Sequence, residues 1–304
     1  MPIVWYLSSM QFSGKTIVSG VLLKKKPLIS SPGVSPLKNA LMIMGSYFNA
    51  AWSNKNIIVQ LMDKRFSIIT DDHGGFSVSI DFCSNDEVVI FLEDSDEALQ
   101  IIQTYPIHFN NTNSNISVIS DIDDTIMVSY TKTKLKRFLT TLFKPSQNRK
   151  VIPFTQELYK IYKNNPRFFY VSKSENNLFP TISNFILHHK LPKGKLFLTP
   201  YLSFWQLIKS KKDKNFKFKI ISSIIKDSPN QKFVLIGDDS QRDMDIYTRI
   251  ANLYKSNIEY IYIRQTGIKV NNQQTQNWKI LQGTGIDAYY FKPDEILDLI
   301  PKTS

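Results

Sequence analysis

The chain has 304 residues, about two domains at roughly 150 residues each; with 42% hydrophobic and 12% aromatic residues it carries enough apolar side chain to exclude disorder as its main state. Lys and Arg outnumber Asp and Glu by 38 to 26, a formal net charge of +12. That excess points to anionic partners such as nucleic acid, an anionic lipid surface or a phosphorylated substrate, without choosing among them.

The single cysteine, Cys83, excludes an intramolecular disulfide and a Cys-rich zinc site and favours a reducing, cytoplasmic setting. The longest apolar runs fall far short of the roughly 18 residues of a bilayer span. Met1 to Tyr6 lacks the charged-then-apolar pattern of a secretory signal.

The first third predicts β structure. Thr16 to Leu23, Asn56 to Met62, Phe76 to Phe82 and Val88 to Leu92 are short Val-, Ile- and Phe-rich runs, and Phe76 to Phe82 alternates apolar and polar residues strictly. Thr70 to Gly75 carries residues that tolerate positive φ and predicts a hairpin-type connection, so a small antiparallel sandwich is expected over residues 1–112. The polar string after Phe109, up to Asn115, predicts a linker. Beyond it, over residues 113–304, strands at Ile116 to Ile119, Arg167 to Val171, Lys195 to Leu198, Lys232 to Ile236 and Glu259 to Ile263 alternate with helical patterns at Thr155 to Lys163, Leu178 to His188 and Lys217 to Lys226. This alternation predicts an α/β fold with a doubly wound, mainly parallel sheet.

In such a sheet function gathers at the carboxyl ends of the strands. Three of these strands deliver polar residues there: Asp121-Ile122-Asp123-Asp124-Thr125, Ser172-Lys173-Ser174, and Gly237-Asp238-Asp239 running on to Asp243. Taken alone, the first string reads as a turn or a helix cap. After an apolar strand, and with a second acidic strand end far downstream, it reads as half of a site. Crowded carboxylates need a compensating cation, and hard oxygen ligands from two loops suit Mg²⁺ together with a substrate phosphate. Ser172 can donate a hydrogen bond to that phosphate. Lys217 can supply the charge, because Ile221 and Ile224 place it on the core-facing side of its helix; Lys219 is the alternative.

Counting from Asp121, an EF-hand would need Gly at position six and Glu at twelve, where Ile126 and Lys132 stand. Ser13-Gly14-Lys15-Thr16 echoes the end of a P-loop but lacks its first Gly, and a strand pattern follows. His188-His189 has no ligand partner at helical spacing. No Ser-His-Asp arrangement is legible.

Asp121 to Ile126, Tyr170 to Ser174 with Asn177 to Pro180, Leu191 to Gly194 and Phe233 to Tyr247 together resemble the actin-patch-protein phosphatidate phosphatase family, within the haloacid dehalogenase-like phosphohydrolases. The resemblance spans roughly Asn115 to Gly267. The β-rich first third is similar to the N-terminal domain of bacterial members. The chain departs from the family pattern at Lys173-Ser174-Glu175 (usually Asn-Ser-Pro), Asp239-Ser240 (Ser-Gly), Met244 (Pro) and Phe216 (His).

The resemblance implies a haloacid dehalogenase-like Rossmannoid domain and a Mg²⁺-dependent phosphatase working through an aspartyl phosphate. Asp121 would be the nucleophile, Asp123 the acid and base, and Thr125 would orient the nucleophile loop. Ser172 and Lys217 would hold phosphoryl oxygens. The metal would sit on Asp121, the backbone carbonyl of Asp123 and Asp238, with Asp243 near; the family pattern favours Asp238 over Asp239.

Phosphatidate or a related lipid phosphomonoester is the substrate so implied. Lys132, Lys134, Lys136, Arg137, Lys144, Arg149 and Lys150, in a stretch free of acid from Thr125 to Gln156, could dock to an anionic bilayer at about 1 kcal/mol per basic residue. The competing readings are a soluble phosphomonoesterase on nucleotide, sugar or nucleic-acid-end phosphates, and a basic scaffold with a vestigial site. No nucleic-acid-binding pattern is legible, so no nucleic acid partner is expected.

Overall fold

The computed structural model describes residues 1–28, 35–127, 149–162, 166–209, 213–240, 242–292 and 295. The chain opens on a hairpin of which only the second strand was expected: β1 (Ile3–Phe12) pairs antiparallel with β2 (Lys15–Leu23) across a Ser13-Gly14 turn, Gly14 having φ 77°. Every residue of β1 is buried, because one face meets a second small sheet and the other meets the parallel sheet. A strand covered on both sides does not alternate in polarity, which is why its pattern is silent. Next comes a helix the β reading did not anticipate, α1 (Pro36–Phe48), capped by the Ser35 side chain with Pro in its first turn.

β3 (Asn56–Leu61), β4 (Lys64–Ile69) and β6 (Val88–Leu92) form an antiparallel sheet in the order β4-β3-β6. β5 (Gly75–Ile80) instead pairs with β2. The Thr70 to Gly75 turn therefore carries the chain from one sheet to the other and closes no hairpin. Asp71 Oδ1 accepts from the His73 and Gly75 N–H groups, each at 2.8 Å, so the side chain, rather than a strand ladder, fixes this turn. Val4, Leu7, Val18 and Leu22 of the first sheet pack on Ile57, Val59, Leu61 and Ile90 of the second. The sandwich is mixed rather than antiparallel, since the short strands β7 (Gln100–Ile101) and β8 (His108–Phe109) run parallel to β1.

The remaining strands are β9 (Ile116–Ser120), β10 (Arg167–Glu175), β11 (Lys195–Thr199), β12 (Lys232–Asp238), β13 (Ile258–Arg264) and β14 (Ala288–Phe291). They form one wholly parallel sheet ordered β11-β10-β9-β12-β13-β14. Counted within the sheet this is 3-2-1-4-5-6, a doubly wound order whose direction reverses between β9 and β12. Among the described residues the helices here are α2 (Pro153–Ile161), α3 (Phe179–His188), α4 (Phe204–Lys209), α5 (Phe216–Lys226), α6 (Asp243–Leu253) and α7 (Asn272–Gln282). Among the described residues, no helix is long and apolar enough to cross a membrane.

The sandwich and the parallel sheet share one core: Trp5, Tyr6, Met10 and Phe12 cluster with Phe169, Phe179 and Phe233. Polar ties reinforce it, with Tyr6 Oη donating to the Leu196 carbonyl at 2.8 Å and Arg167 Nη1 donating to the Gln11 carbonyl at 3.0 Å. Arg167 also donates to Asn111 Oδ1 at 2.8 Å, so the Asn-rich string after Phe109 is fastened to both parts.

Candidate active site

The site forms where the sheet order reverses. β9 and β12 are neighbours, with Ser120 opposite Ile236, so the residues following them emerge side by side. The Asp121 N–H donates to the Ile236 carbonyl at 2.8 Å, which continues the ladder one residue and fixes where its carboxylate points. Asp238 closes β12, and Asp243 opens α6 close against it. Gly237 permits that approach: a Cβ there would lie 2.8 Å from Asp243 Oδ2 and 2.9 Å from the Tyr247 ring.

Asp121, Asp238 and Asp243 are buried, and a ligand atom from each lies within 4.8 Å of the others. Lys217, from the first turn of α5, reaches into this cluster. Its Nζ stands 2.9 Å from Asp121 Oδ1 and 2.6 Å from Asp243 Oδ1. Lys217, Ile221 and Ile224 are all buried on one side of that helix, the face expected from their spacing.

One ammonium faces three carboxylates, and the imbalance shows in their proton affinities. Burial, with Asp243 adding and Lys217 opposing, pushes Asp238 up to about 7. Burial likewise raises Asp121 well above the carboxylate range, against Lys217 and with the neighbouring carboxylates. Burial alone would lower Lys217; Asp121, Asp243 and Asp238 together outweigh it and hold the ammonium above the ordinary lysine range. Asp121 Oδ2 and Asp238 Oδ2 are buried without a hydrogen-bond partner among the described residues. Orphaned carboxylate oxygens and a net negative charge fit a hard divalent cation.

Asp123 takes another direction. Its Oδ2 accepts from Ser174 Oγ at 2.8 Å and from Ser172 Oγ at 3.2 Å, so its carboxylate lies against the end of β10 rather than in the three-carboxylate cluster. β10 runs beyond the expected end at Val171, through both serines to Glu175, with a register shift that aims the pair inward. Immediately after Asp123 the loop turns sharply through Asp124, at φ 58°, whose carbonyl accepts from Arg264 Nη1 at 2.5 Å. Thr125 is fully buried, and its carbonyl accepts from Thr155 Oγ1 at 2.7 Å.

The structure thus brings together Asp121, Asp123, Ser172, Lys217, Asp238 and Asp243, with Thr125 under the loop. The alternatives left open stand apart in position. Lys219 is exposed and pairs with Asp213 at 2.8 Å. Asp239 turns away: Oδ1 accepts from the Thr266 N–H at 2.9 Å and Oδ2 accepts from Tyr290 Oη at 2.6 Å. Arg149, counted among the basic residues available to a bilayer, is buried, and its Nη1 donates to Met127 Sδ at 3.4 Å. Lys132, Lys134, Lys136, Arg137 and Lys144 lie outside the described residues. Sequence reading assigned Ser174 and Arg264 no role. Ser174 was within reach of it, two residues from Ser172 on the same face of a strand.

Residues 116–265 match the family described as "Phosphatidate phosphatase APP1, catalytic domain". Phosphatidate phosphatase APP1 of Saccharomyces cerevisiae is 32% identical over 167 residues, 54% of this chain and 28% of that protein. An uncharacterized protein, C29B5.04c, of Schizosaccharomyces pombe is 29% identical over 154 residues, 50% of this chain and 25% of the other. The chain therefore matches less than a third of the length of these curated relatives. Among solved structures, a chain of the Pnkp1/Rnl/Hen1 complex aligns over 68% of this chain and 57% of its own length, with a TM-score of 0.34 and 12% identity.

Proposed function

Residues 116–265 belong to the phosphatidate phosphatase APP1 catalytic-domain family, and on that premise we propose that the protein is a Mg²⁺-dependent phosphoric monoester hydrolase of haloacid dehalogenase-like type, acting on phosphatidate or a related lipid phosphomonoester. The observation that carries the chemistry is the buried Asp121–Lys217–Asp243 contact beside Asp238, with Asp123 two residues away and oriented separately by Ser172 and Ser174.

Asp121 is the nucleophile: its carboxylate oxygen forms a bond to phosphorus while the ester oxygen leaves. Lys217, 2.9 Å from Asp121, holds that carboxylate in place and faces the negative charge of the incoming phosphoryl group. Ser172 turns its one O–H from Asp123 to a phosphoryl oxygen when substrate binds, leaving Ser174 to hold Asp123, and Thr125 fixes the loop that presents Asp121. Asp123 delivers a proton to the departing alkoxide, then takes one from the water that cleaves the aspartyl phosphate. Ser174 positions Asp123 for both steps. Asp121, Asp238 and Asp243, with the backbone carbonyl of Asp123, would hold Mg²⁺, which supplies charge neutralisation on the transferring group.

Phosphate release from phosphatidate vesicles and from soluble phosphomonoesters, with Mg²⁺ and with chelator, tests this. Mg²⁺-dependent release that prefers phosphatidate is expected. A preference for soluble esters would overturn the lipid assignment, and release unaffected by Asp121→Asn would overturn the mechanism.

A further inference from the structure

A cavity of about 490 Å³ lies between the sandwich and the edge of the parallel sheet, within the range of roughly 300–1,000 Å³ usual for small-molecule sites. Its walls include Phe76, Leu198, Phe216 and Ile220, and one of its polar lining groups is Lys195, the first residue of β11. The lining runs along β11 to Leu198 and Pro200 and includes Phe216, but it contains none of the carboxylate cluster. β11 is two strands from β9, about 10 Å at ~4.8 Å per strand. Lys195 also stands at the opposite end of its strand from the edge that carries Asp121.

Lys195 is buried, yet no carboxylate comes within ion-pair distance of it among the described residues. Its Nζ donates to the hydroxyls of Ser8 and Ser19, at 2.7 Å for the latter, and lies 5.2 Å from the Tyr6 ring and 5.4 Å from that of Phe197. Asp71, the acidic group in the lining, is engaged by the N–H groups of its own turn. Burial without a countercharge pushes the amine down to about 7. A charge in such a place is expensive unless an anion accompanies it.

We propose that this cavity binds a monoanionic amphiphile, a carboxylate-headed aliphatic molecule whose head lies at Lys195 and Ser19 and whose tail lies along Phe76, Leu198, Phe216 and Ile220. One ammonium flanked by neutral hydroxyls matches a single negative charge better than the two of a phosphomonoester. The apolar walls match an alkyl chain. The inference is independent of the phosphatase reading, since no catalytic residue takes part.

Calorimetric titration of the full chain with octanoate, 1-octanol, octyl phosphate and inorganic phosphate at pH 6.5 tests it. Octanoate should bind saturably and at least tenfold more tightly than the other three. Lys195→Met should weaken octanoate at least tenfold and leave 1-octanol unchanged. Ile69, exposed at the rim, gives a second test that spares the core: Ile69→Asp should weaken octanoate and Ile69→Lys should strengthen it. No saturable binding would overturn the proposal, as would 1-octanol or either phosphate binding as tightly as octanoate. Unchanged octanoate affinity in a folded Lys195→Met protein, or in both Ile69 variants, would overturn it equally.

Discussion

Two lysines are buried among the described residues, 1% and 4% exposed, and their surroundings differ in one respect that decides their chemistry. Lys217 at the catalytic edge touches two carboxylates and lies near a third, and they hold it charged against the cost of burial. Lys195 at the interface with the sandwich has hydroxyls and aromatic faces but, among the described residues, no carboxylate within ion-pair distance, and burial brings it down to about 7. Desolvation acts on both; a matching opposite charge acts on one. The catalytic edge is over-supplied with negative charge and the interface is left with unmatched positive charge. Each imbalance fits a ligand of opposite sign.

The largest expected effect concerns the acidic side. Asp121→Asn should abolish phosphatase activity, by at least ~10³ in kcat, while the protein stays folded, because a neutral amide relieves carboxylate crowding. Residual activity within tenfold of the parent would remove Asp121 from the nucleophile role. Lys217→Met should cost both activity and about 3–5 kcal/mol of stability in urea titrations, since it leaves three buried acids without their cation. Lys195→Met should do the reverse, raising stability by ~1–2 kcal/mol, because an unmatched buried charge is exchanged for an apolar chain of similar volume. Equal effects at the two sites would dissolve the contrast between them.

The same contrast divides by pH. Asp238, at about 7 when folded, keeps its proton in the native state while the unfolded chain, near 3.9, loses it. The native state then binds more protons, so in chelator this group makes stability fall as pH rises from about 4 to about 7. Added Mg²⁺ should reverse that loss and raise the melting temperature more at pH 8 than at pH 5. Lys195 acts in the opposite sense. Its folded pKa of about 7 lies below the unfolded value near 10.4, so the unfolded state binds more protons between them and stability climbs with pH across that window. In Lys195→Met the climb should vanish and the acid-side slope remain, which melting curves from pH 5 to pH 10 would read.

Much of the candidate site's geometry was legible because its determinants are local. An apolar strand followed by acids marks Asp121 and Asp238, and the spacing of Ile221 and Ile224 to Lys217 marks a core-facing lysine. What escaped depends on contacts distant in sequence. β1 is covered on both faces and shows no period. Strand β10 reaches Ser174 only through its pairing with β11 near Thr199. Lys195 begins an ordinary edge-strand pattern, and only its meeting with Ser8 and Ser19, more than 170 residues away, makes it an isolated buried charge. The polar helix α7 has little apolar periodicity, although its Asn271–Gln274 capping box was there to be read.

The smallest expected effect is the sharpest check on how narrowly the catalytic charge is placed. Lys217 and Lys219 are two residues apart on α5, so helical geometry sends them about 200° apart around the axis. One enters the carboxylate cluster, while the other stands exposed with Asp213 at 2.8 Å. An exposed pair of this kind contributes at most ~1 kcal/mol. Lys219→Met should therefore keep kcat within about twofold of the parent and shift the urea midpoint only slightly, with Lys217 intact beside it. A loss of activity comparable to that of Lys217→Met would mean that both lysines serve the phosphoryl group, and that the helix turns differently when substrate is bound.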